Sequence, residues 1–572
     1  MELTLPSGSV ADAYLALLSD RGVDCIFANA GTDFAPIIEA LAKAQEMGGK
    51  VPRPITVPHE NVAISMAAGY YLKTGRPQVV MVHVDVGTAN ALCGLMNASR
   101  GNIPILFSAG RTPFSEEGDL LGGRSGEIHW PQEMRDQGSL VREFVKWDYQ
   151  LNTGAVLEAT IDRALNLATS EPTGPIYLIL PREVLAAPLE NFRYQSPSRR
   201  TAATAPFPDT HAIDRAADML ASAENPLIIT SALGRIESDV PKLSALAERF
   251  AIPVTQRKPR YMCLPTDHPM HLGYEPDEYI REVDVIVVIE CDVPWIPRKK
   301  APTKDCKVIH LGVDPLYANY PLRGFTCDLA ITGILGATLP LLDAALESRE
   351  GTAKARIDAR RKRLEGIRQE RREKLRATLE RVKDADPIHP IWISHCLNQA
   401  KGERSIVLKE SPLAFDCMSY SRTGTFYSIG SAGGLGWSLG TSLGLKMAAP
   451  DELVICTVGD GAYMFGNPVP AHYVARAEGL PILTVVFNNE MWGAVKRNTR
   501  EVYPKGYASR SNREPLTYFQ SGSHFEKAVE VADGYGERVV DAADVPRAID
   551  RALKAVLNDK RQALLNVICR GP

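Results

Sequence analysis

Apolar positions along this 572-residue chain fall in short continuous runs more than in alternating ones. Residues 78–84 (QVVMVHV), 103–108, 175–181 (PIYLILP), 226–230, 283–290 (VDVIVVIE), 307–312, 453–459 and 481–488 (PILTVVFN) are examples. Most are flanked by Gly, Pro, Asn or Asp, and helix-length amphipathic stretches separate them. A run that is apolar at consecutive positions has both faces buried, as in a parallel sheet covered by helices on each side. The pattern therefore predicts an α/β protein with several parallel sheets.

Two stretches break the rhythm. Residues 191–210 (NFRYQSPSRRTAATAPFPDT) are rich in Ser, Pro, Ala and Thr, show no period, and read as a linker. Residues 351–390 carry a charge-dense helical pattern closed by Pro387 and Pro390, with 13 basic and 7 acidic side chains between Lys354 and Asp386. No aromatic residues interleave there, so it reads as a solvated connecting helix stitched by Glu/Arg pairs, not a nucleic-acid or CoA-phosphate patch. Cutting at these places gives a block at 1–190, a second at 205–345, the connecting helix at 351–386 and a last block at 387–572. No internal repeat is legible between the blocks.

Charge and cysteine usage narrow the function classes. Lys and Arg total 65 against 68 Asp and Glu, a formal charge of −3, so there is no whole-chain field for nucleic acid. No apolar run approaches the ~20 residues that span a bilayer, and the first residues show no basic-then-apolar leader. The ten cysteines are scattered singly, without a CxxC pair, an HExxH helix or a Cys/His quartet. That usage fits reduced thiols in a cytoplasm and offers no zinc site. A cytoplasmic protein with a small-molecule partner, and neither nucleic acid nor membrane, is expected.

The chemistry concentrates in residues 454–493, VICTVGDGAYMFGNPVPAHYVARAEGLPILTVVFNNEMWG. One apolar run ends in Gly459-Asp460-Gly461, a helix-length stretch follows, and a second apolar run ends in Asn488-Asn489. A carboxylate and an amide at the ends of nearby strands converge on the carboxyl edge of a parallel sheet, where such sheets bind ligands. Their hard oxygens suit Mg²⁺, which shares its shell with phosphate oxygens, and the glycines let backbone approach a diphosphate. In the first block, Val57-Pro58-His59-Glu60 precedes a small-residue helix pattern, NVAISMAAGYYLKTG, and surrounds Glu60 with Val57, Pro58, Val62 and Ala63. An apolar setting of that kind favours a protonated carboxyl. Phe27-Ala28-Asn29-Ala30-Gly31-Thr32 forms a strand-to-turn segment, and His83 ends another run. In the last block, residues 430–445 (GSAGGLGWSLGTSLGL) place dense glycine before a helix.

Taken together these motifs resemble the thiamine-diphosphate (ThDP) enzymes, in the branch of pyruvate and benzoylformate decarboxylases, acetolactate synthases and 2-hydroxyacyl-CoA lyases. The resemblance implies three α/β domains, binding pyrimidine first and diphosphate last. It implies Asp460, Asn489 and the Met491 carbonyl as Mg²⁺ ligands, with Gly459, Gly461 and Ala462 beside the diphosphate. Glu60 would be the carboxylate that activates the aminopyrimidine, with Gly31 and Thr32 near the reaction centre. The Gly433 carbonyl would accept from the pyrimidine amine, and Leu435 would wedge between the cofactor rings. Glu60 of one chain would meet the Gly433 and Asp460 region of another, making a homodimer or homotetramer the active unit. Compared with the family spacing, extra residues fall within 466–470.

The reaction is less sharply drawn. His83 aligns with a benzoylformate decarboxylase histidine and is a candidate proton relay, or a hydrogen-bonded structural residue. That enzyme's middle-domain histidine has no counterpart in residues 290–298 (ECDVPWIPR), and the glutamine of an acetolactate synthase strand is replaced at Ala109-Gly110. Glu490, after the metal-binding Asn489, would repel an oxo-acid anion but could serve as acid or base toward a hydroxyl. Basic clusters at Arg257-Lys258-Pro259-Arg260 and Arg298-Lys299-Lys300 could pair with CoA phosphates. These features point to a 2-hydroxyacyl-CoA lyase, with a 2-oxo acid decarboxylase or acetolactate-synthase-like carboligase as the alternative and a non-catalytic subunit as a third class. The substrate is then an acyl-CoA or a 2-oxo acid, and CoA, ADP or FAD is a candidate nucleotide for the middle domain. Residues 503–525, period-free and following the metal motif, read as a lid or a surface loop.

Overall fold

A computed structural model describes residues 1–430, 432–519 and 522–571. Each long apolar run becomes a strand of one of three parallel sheets. The first sheet has the order Arg53–Thr56, Cys25–Asn29, Gln78–Val82, Ile105–Arg111, Ile176–Pro181, Asp148–Gln150. The last has the order Phe426–Tyr427, Ile406–Glu410, Val454–Gly459, Leu483–Asn488, Ala563–Ile568, Tyr535–Val539. Numbered by chain order within each sheet, both read 2-1-3-4-6-5. The five-stranded middle sheet, residues 226–332, follows the same path as far as it goes, 2-1-3-4-5. The first and last domains thus share a topology that their side chains do not advertise.

The period-free stretch at 191–210 is partly structured, a departure from the linker reading. Its first five residues complete the strand Pro188–Gln195, which pairs antiparallel with Glu2–Ser9 and ties the amino terminus to the end of the first domain. Pairing with a partner nearly 190 positions away supplies what local pattern could not. The charged stretch forms one helix, Glu350–Val382. Ala353, Ile357 and Leu364 are buried on one face. Its arginines reach mainly to other elements: Arg361 to the Glu248 carbonyl, Arg368 to the Asp267 carbonyl and Arg363 to Asn225. Intrahelical ion pairs, such as Arg361–Asp358, are the lesser part of its fastening.

One contact positions the site. The helix Glu60–Thr74 lies backbone to backbone against Trp437–Ala448. A Cβ on Gly69 would fall 2.1 Å from the Thr441 carbonyl oxygen, and one on Gly444 would fall 2.0 Å from that of Met66. Only glycine permits this approach. Val62 faces Gly440 and Met66 faces Gly444, so the helices run in the same direction with both N-termini at one end. Both helices begin at the carboxyl edges of their sheets, where ligands of α/β folds bind. All ten cysteines are free thiols, and among the described residues no helix is long and apolar enough to cross a membrane.

Candidate active site

Asp460 leaves the strand Val454–Gly459 as the first residue of a short helix, Asp460–Phe465. It is buried, and its Oδ1 accepts from the Gly461 N–H at 2.8 Å and its Oδ2 from the Met491 N–H at 3.2 Å. Burial outweighs these bonds and lifts its carboxyl to about 6. Asn488 is turned into the sheet, where its amide donates to Asn566, and its Oδ1 accepts from the Glu490 N–H. Asn489 points the other way. Its Oδ1 is buried and has no donor. An unsatisfied buried oxygen beside a buried carboxylate is an arrangement that a cation completes. The Met491 carbonyl, which accepts from the Gly493 N–H at 2.9 Å, retains a second lone pair. These donors fit the Mg²⁺ reading: hard oxygens from one carboxylate, one amide and one peptide. Among the described residues no group of three His, Cys, Asp or Glu side chains is placed to hold a metal ion.

The glycines divide by role. A Cβ on Gly459 would find nothing closer than the Glu410 carbonyl oxygen at 3.9 Å, so this position leaves room for a phosphate. Gly461 instead packs under Trp492, whose ring lies 2.4 Å from a Cβ there. Ala462 is buried in the same helix. Gly433, at φ 77°, faces open space, Gly434 accepts from the Asn97 amide at 2.7 Å, and Leu435 stands half-buried beside them. Gly436, at φ 78°, packs against the backbone of Gly466, so the turn before the helix Pro468–Ala477 buttresses the glycine loop.

The loop is also held by a residue that sequence reading did not select. Glu410 ends the strand Ile406–Glu410 and accepts from the Gly436 and Ser438 N–H groups at 2.7 and 3.0 Å. Burial raises its carboxyl to about 7. The signal was available: a carboxylate closing an apolar run, as at Asp460.

In the first domain, Glu60 begins its helix and is 8% exposed. The apolar pocket expected from its neighbours is not what surrounds its oxygens. Oε1 accepts from the Asn29 amide at 2.8 Å, and Oε2 from the Asn90 amide. Both asparagines come from other strand and helix ends about thirty positions away, so local sequence could not show them. His83 is held similarly. The Gln132 amide donates to Nε2 at 3.2 Å, which leaves Nδ1–H to donate to Asp33 at 2.6 Å. The Asp33 bond, opposed by burial, raises the His83 pKa above its ordinary value. Gly31 lies against that ring, 2.1 Å from Nδ1 for a Cβ, and so must be glycine. Thr32 is exposed, and its carbonyl accepts from Arg182 at 3.1 Å. Among the described residues no hydrogen bond joins the Glu60 cluster to the Asp460 cluster.

Glu490 sits in left-handed backbone at φ 55°, and its Oε1 accepts from the Gly522 N–H at 3.1 Å. Residues 503–519 and 522–525 double back onto this turn. Met491 bridges Tyr518, the Trp492 N–H bonds the Thr517 carbonyl, and buried Glu514 takes Arg500 and Tyr518. Residues 520 and 521 of the lid-or-loop segment lie outside the described residues.

Between the middle and last domains lies a cavity of about 420 Å³, lined by Arg257, Lys258, Asp292 and Lys409 together with Gly433 and Leu435. Arg260, in the same wall, is buried and paired with Asp292, which also takes the Tyr320 hydroxyl. Lys299, in the second basic cluster, pairs with Glu501.

Three family models match in order: the thiamine pyrophosphate enzyme N-terminal TPP binding domain over residues 8–140, the central domain over 213–342 and the C-terminal TPP binding domain over 411–567. The chain belongs to the thiamine pyrophosphate enzyme family. It is a ThDP-dependent enzyme of a group that acts on carbon–carbon bonds. It is 25% identical to the acetolactate synthase isozyme 3 large subunit of Escherichia coli, across 96% of this chain and 93% of that one. It is 24% identical to a sulfoacetaldehyde acetyltransferase of Castellaniella defragrans, across 98% and 93%. The ThDP-dependent 4-hydroxybenzoylformate decarboxylase of Rhodococcus jostii shares its fold, with a TM-score of 0.78 at 20% identity over 99% of this chain and 100% of that one.

Proposed function

We propose that this ThDP enzyme is Mg²⁺-dependent and decarboxylates or ligates small 2-oxo acids, in the manner of an acetolactate synthase. The observation that carries this reading is the cavity beside Gly433 and Leu435, whose walls present Arg257, Lys258 and Lys409 to a small anionic substrate. Relatives named for acetolactate synthesis and for sulfoacetaldehyde acetyl transfer support it.

Bound thiamine diphosphate supplies a carbon nucleophile and an electron sink for carbon–carbon bonds. The chain's own residues do the rest. Asp460, Asn489 Oδ1 and the Met491 carbonyl would hold Mg²⁺, and Gly459 would leave space for the phosphates. Glu60 takes and returns a proton at its carboxylate, while Asn29 and Asn90 fix its orientation. His83 keeps its Nδ1 proton on Asp33, so Nε2 is the ring atom able to exchange Gln132 for a substrate proton. Glu410 holds the Gly433–Leu435 turn in the shape that faces the cofactor. Gathering the Glu60 and Asp460 clusters at one reaction centre takes two copies of the chain, a homodimer or homotetramer.

Glu490 favours a second reading, a 2-hydroxyacyl-CoA lyase with CoA, or another nucleotide such as ADP or FAD, on the middle domain. Freed from Gly522, its carboxylate would act as acid or base on an uncharged hydroxyl. A mass-spectrometric product assay with Mg²⁺ and ThDP separates the two readings. Pyruvate, benzoylformate and 2-hydroxyisobutyryl-CoA are offered side by side. Carbon dioxide or acetolactate from an oxo acid supports the first reading. Formyl-CoA and acetone, without oxo-acid turnover, would replace it with the second.

A further inference from the structure

The cavity that supports an anionic substrate holds more positive charge than one reacting carboxylate can use. Arg260 is neutralised by Asp292. Arg257 reaches Glu275 at 2.6 Å through Nη1, but its Nε is buried without a partner. Lys258 and Lys409 have no carboxylate within ion-pair distance among the described residues. The Lys409 ammonium stands 4.9 Å over the Phe415 ring. Lys258 is carried on a strained left-handed backbone at φ 40°, a conformation that persists only where the surroundings enforce it and that gathers at ligand sites. Burial and then the Lys258 charge push Lys409 down to about 8. Glu410, the next residue, offers no relief, because its oxygens are taken by the Gly436 and Ser438 N–H groups. Two amines that repel one another in a shared cavity are stabilised by an anion placed between them.

A carboxylate lost as carbon dioxide is not that anion. Its charge disappears on the way to the transition state. A clamp of two ammonium groups would hold the ground state more tightly than the transition state and slow the reaction. The paired lysines suit a group whose charge survives every step.

Building on the 2-oxo acid reading, we propose that the substrate carries a second anionic group away from the reacting carbonyl, and that Lys258 and Lys409, assisted by Arg257, bind it. A sulfonate, a phosphonate or a second carboxylate has the required chemistry.

The test is calorimetric titration of the Mg²⁺–ThDP holoenzyme at fixed ionic strength. Sulfoacetate, phosphonoacetate and malonate are the doubly charged probes, and propionate is the singly charged control. The expected result is that at least one doubly charged probe binds tenfold or more tightly than propionate, and the tightest of the three names the group. Lys258→Met and Lys409→Met should each remove at least tenfold of that preference for a doubly charged probe over propionate, with Mg²⁺–ThDP binding unchanged. Lys409→Arg, which keeps the charge, should restore it and guards against a folding defect. Equal binding of all four probes, or a preference that survives both methionine variants, would overturn the proposal. Oxo-acid turnover without dianion binding removes this inference alone. Dianion binding without oxo-acid turnover removes the reaction assigned above and leaves the anion site standing.

Discussion

The Glu60 cluster of the first domain and the Asp460 cluster of the last stand at carboxyl edges of sheets with the same strand order, yet they are finished to different degrees. The Glu60 carboxylate and the His83 imidazole have every polar atom paired: two asparagines on the carboxylate, Asp33 and Gln132 on the imidazole. Around Asp460 this is not so. Asn489 Oδ1 has no donor, and the Asp460 carboxyl is held up at about 6 by burial. Groups that move protons need a fixed direction and a set basicity, which neighbouring side chains can supply in advance. Groups that bind an ion must keep lone pairs free until it arrives, at a cost in buried unsatisfied oxygen. The same topology therefore carries one self-contained cluster and one that awaits its ligand.

The sharpest way to break this comparison is Glu60→Gln. Turnover should fall by about 10²–10⁴-fold, because the proton-handling carboxylate is gone. Mg²⁺-dependent ThDP binding should persist, because that cluster is elsewhere. Steady-state rates with equilibrium cofactor titration check both halves, and near-normal turnover would remove Glu60 from the mechanism. The mirror experiment is Asp460→Ala. Retention of ThDP at limiting Mg²⁺ should weaken by at least about 10–100-fold, the scale set by outer-shell partners of metal sites alone. Chelation of the wild type should mimic it, and cofactor binding indifferent to both treatments would refute the metal assignment.

Asp33→Asn probes the self-contained cluster more gently. The Asp33 bond raises His83, so its loss lowers the histidine pKa. The acidic limb of the pH–rate profile should shift to lower pH, with a loss on the order of tenfold in kcat/KM. A limb that stays in place would assign it to another group. Glu410→Gln gives the smallest effect, and on stability. Glu410 is lifted from 4.5 to about 7 in the folded state, so the folded chain binds that proton more tightly than the unfolded chain. Its stabilising contribution is present below about pH 4.5 and is lost as the pH rises through about 7. Between about pH 5 and about pH 8 the wild type should lose on the order of 1–3 kcal/mol relative to the variant in denaturant unfolding. Parallel pH curves for the two proteins would mean that the capping carboxylate titrates normally.

What could be read in advance follows from distance along the chain. Asp460 and Asn489 were legible because each closes an apolar strand, and strands of a parallel sheet end at a common edge. Glu410 carries the same signal on a shorter run. Asn29 also closes a strand, but Asn90, Asp33 and Gln132 carry no such signal, and none of the four shows its partner locally, since each meets it only across about thirty to fifty intervening residues.

The amino-acid sequence alone determined the α/β class, the three sheets and the strand ends that bear the metal-type oxygens, because continuous apolar runs and their polar terminators are local facts. Tertiary structure decided which amides grip Glu60, that Arg260 is spent on Asp292 while Lys258 and Lys409 face one cavity, and that the first and last domains follow one strand path. Those outcomes depend on which strand pairs with which and on how closely glycine-bearing helices approach, and residues distant in the chain settle them only when the sheets close.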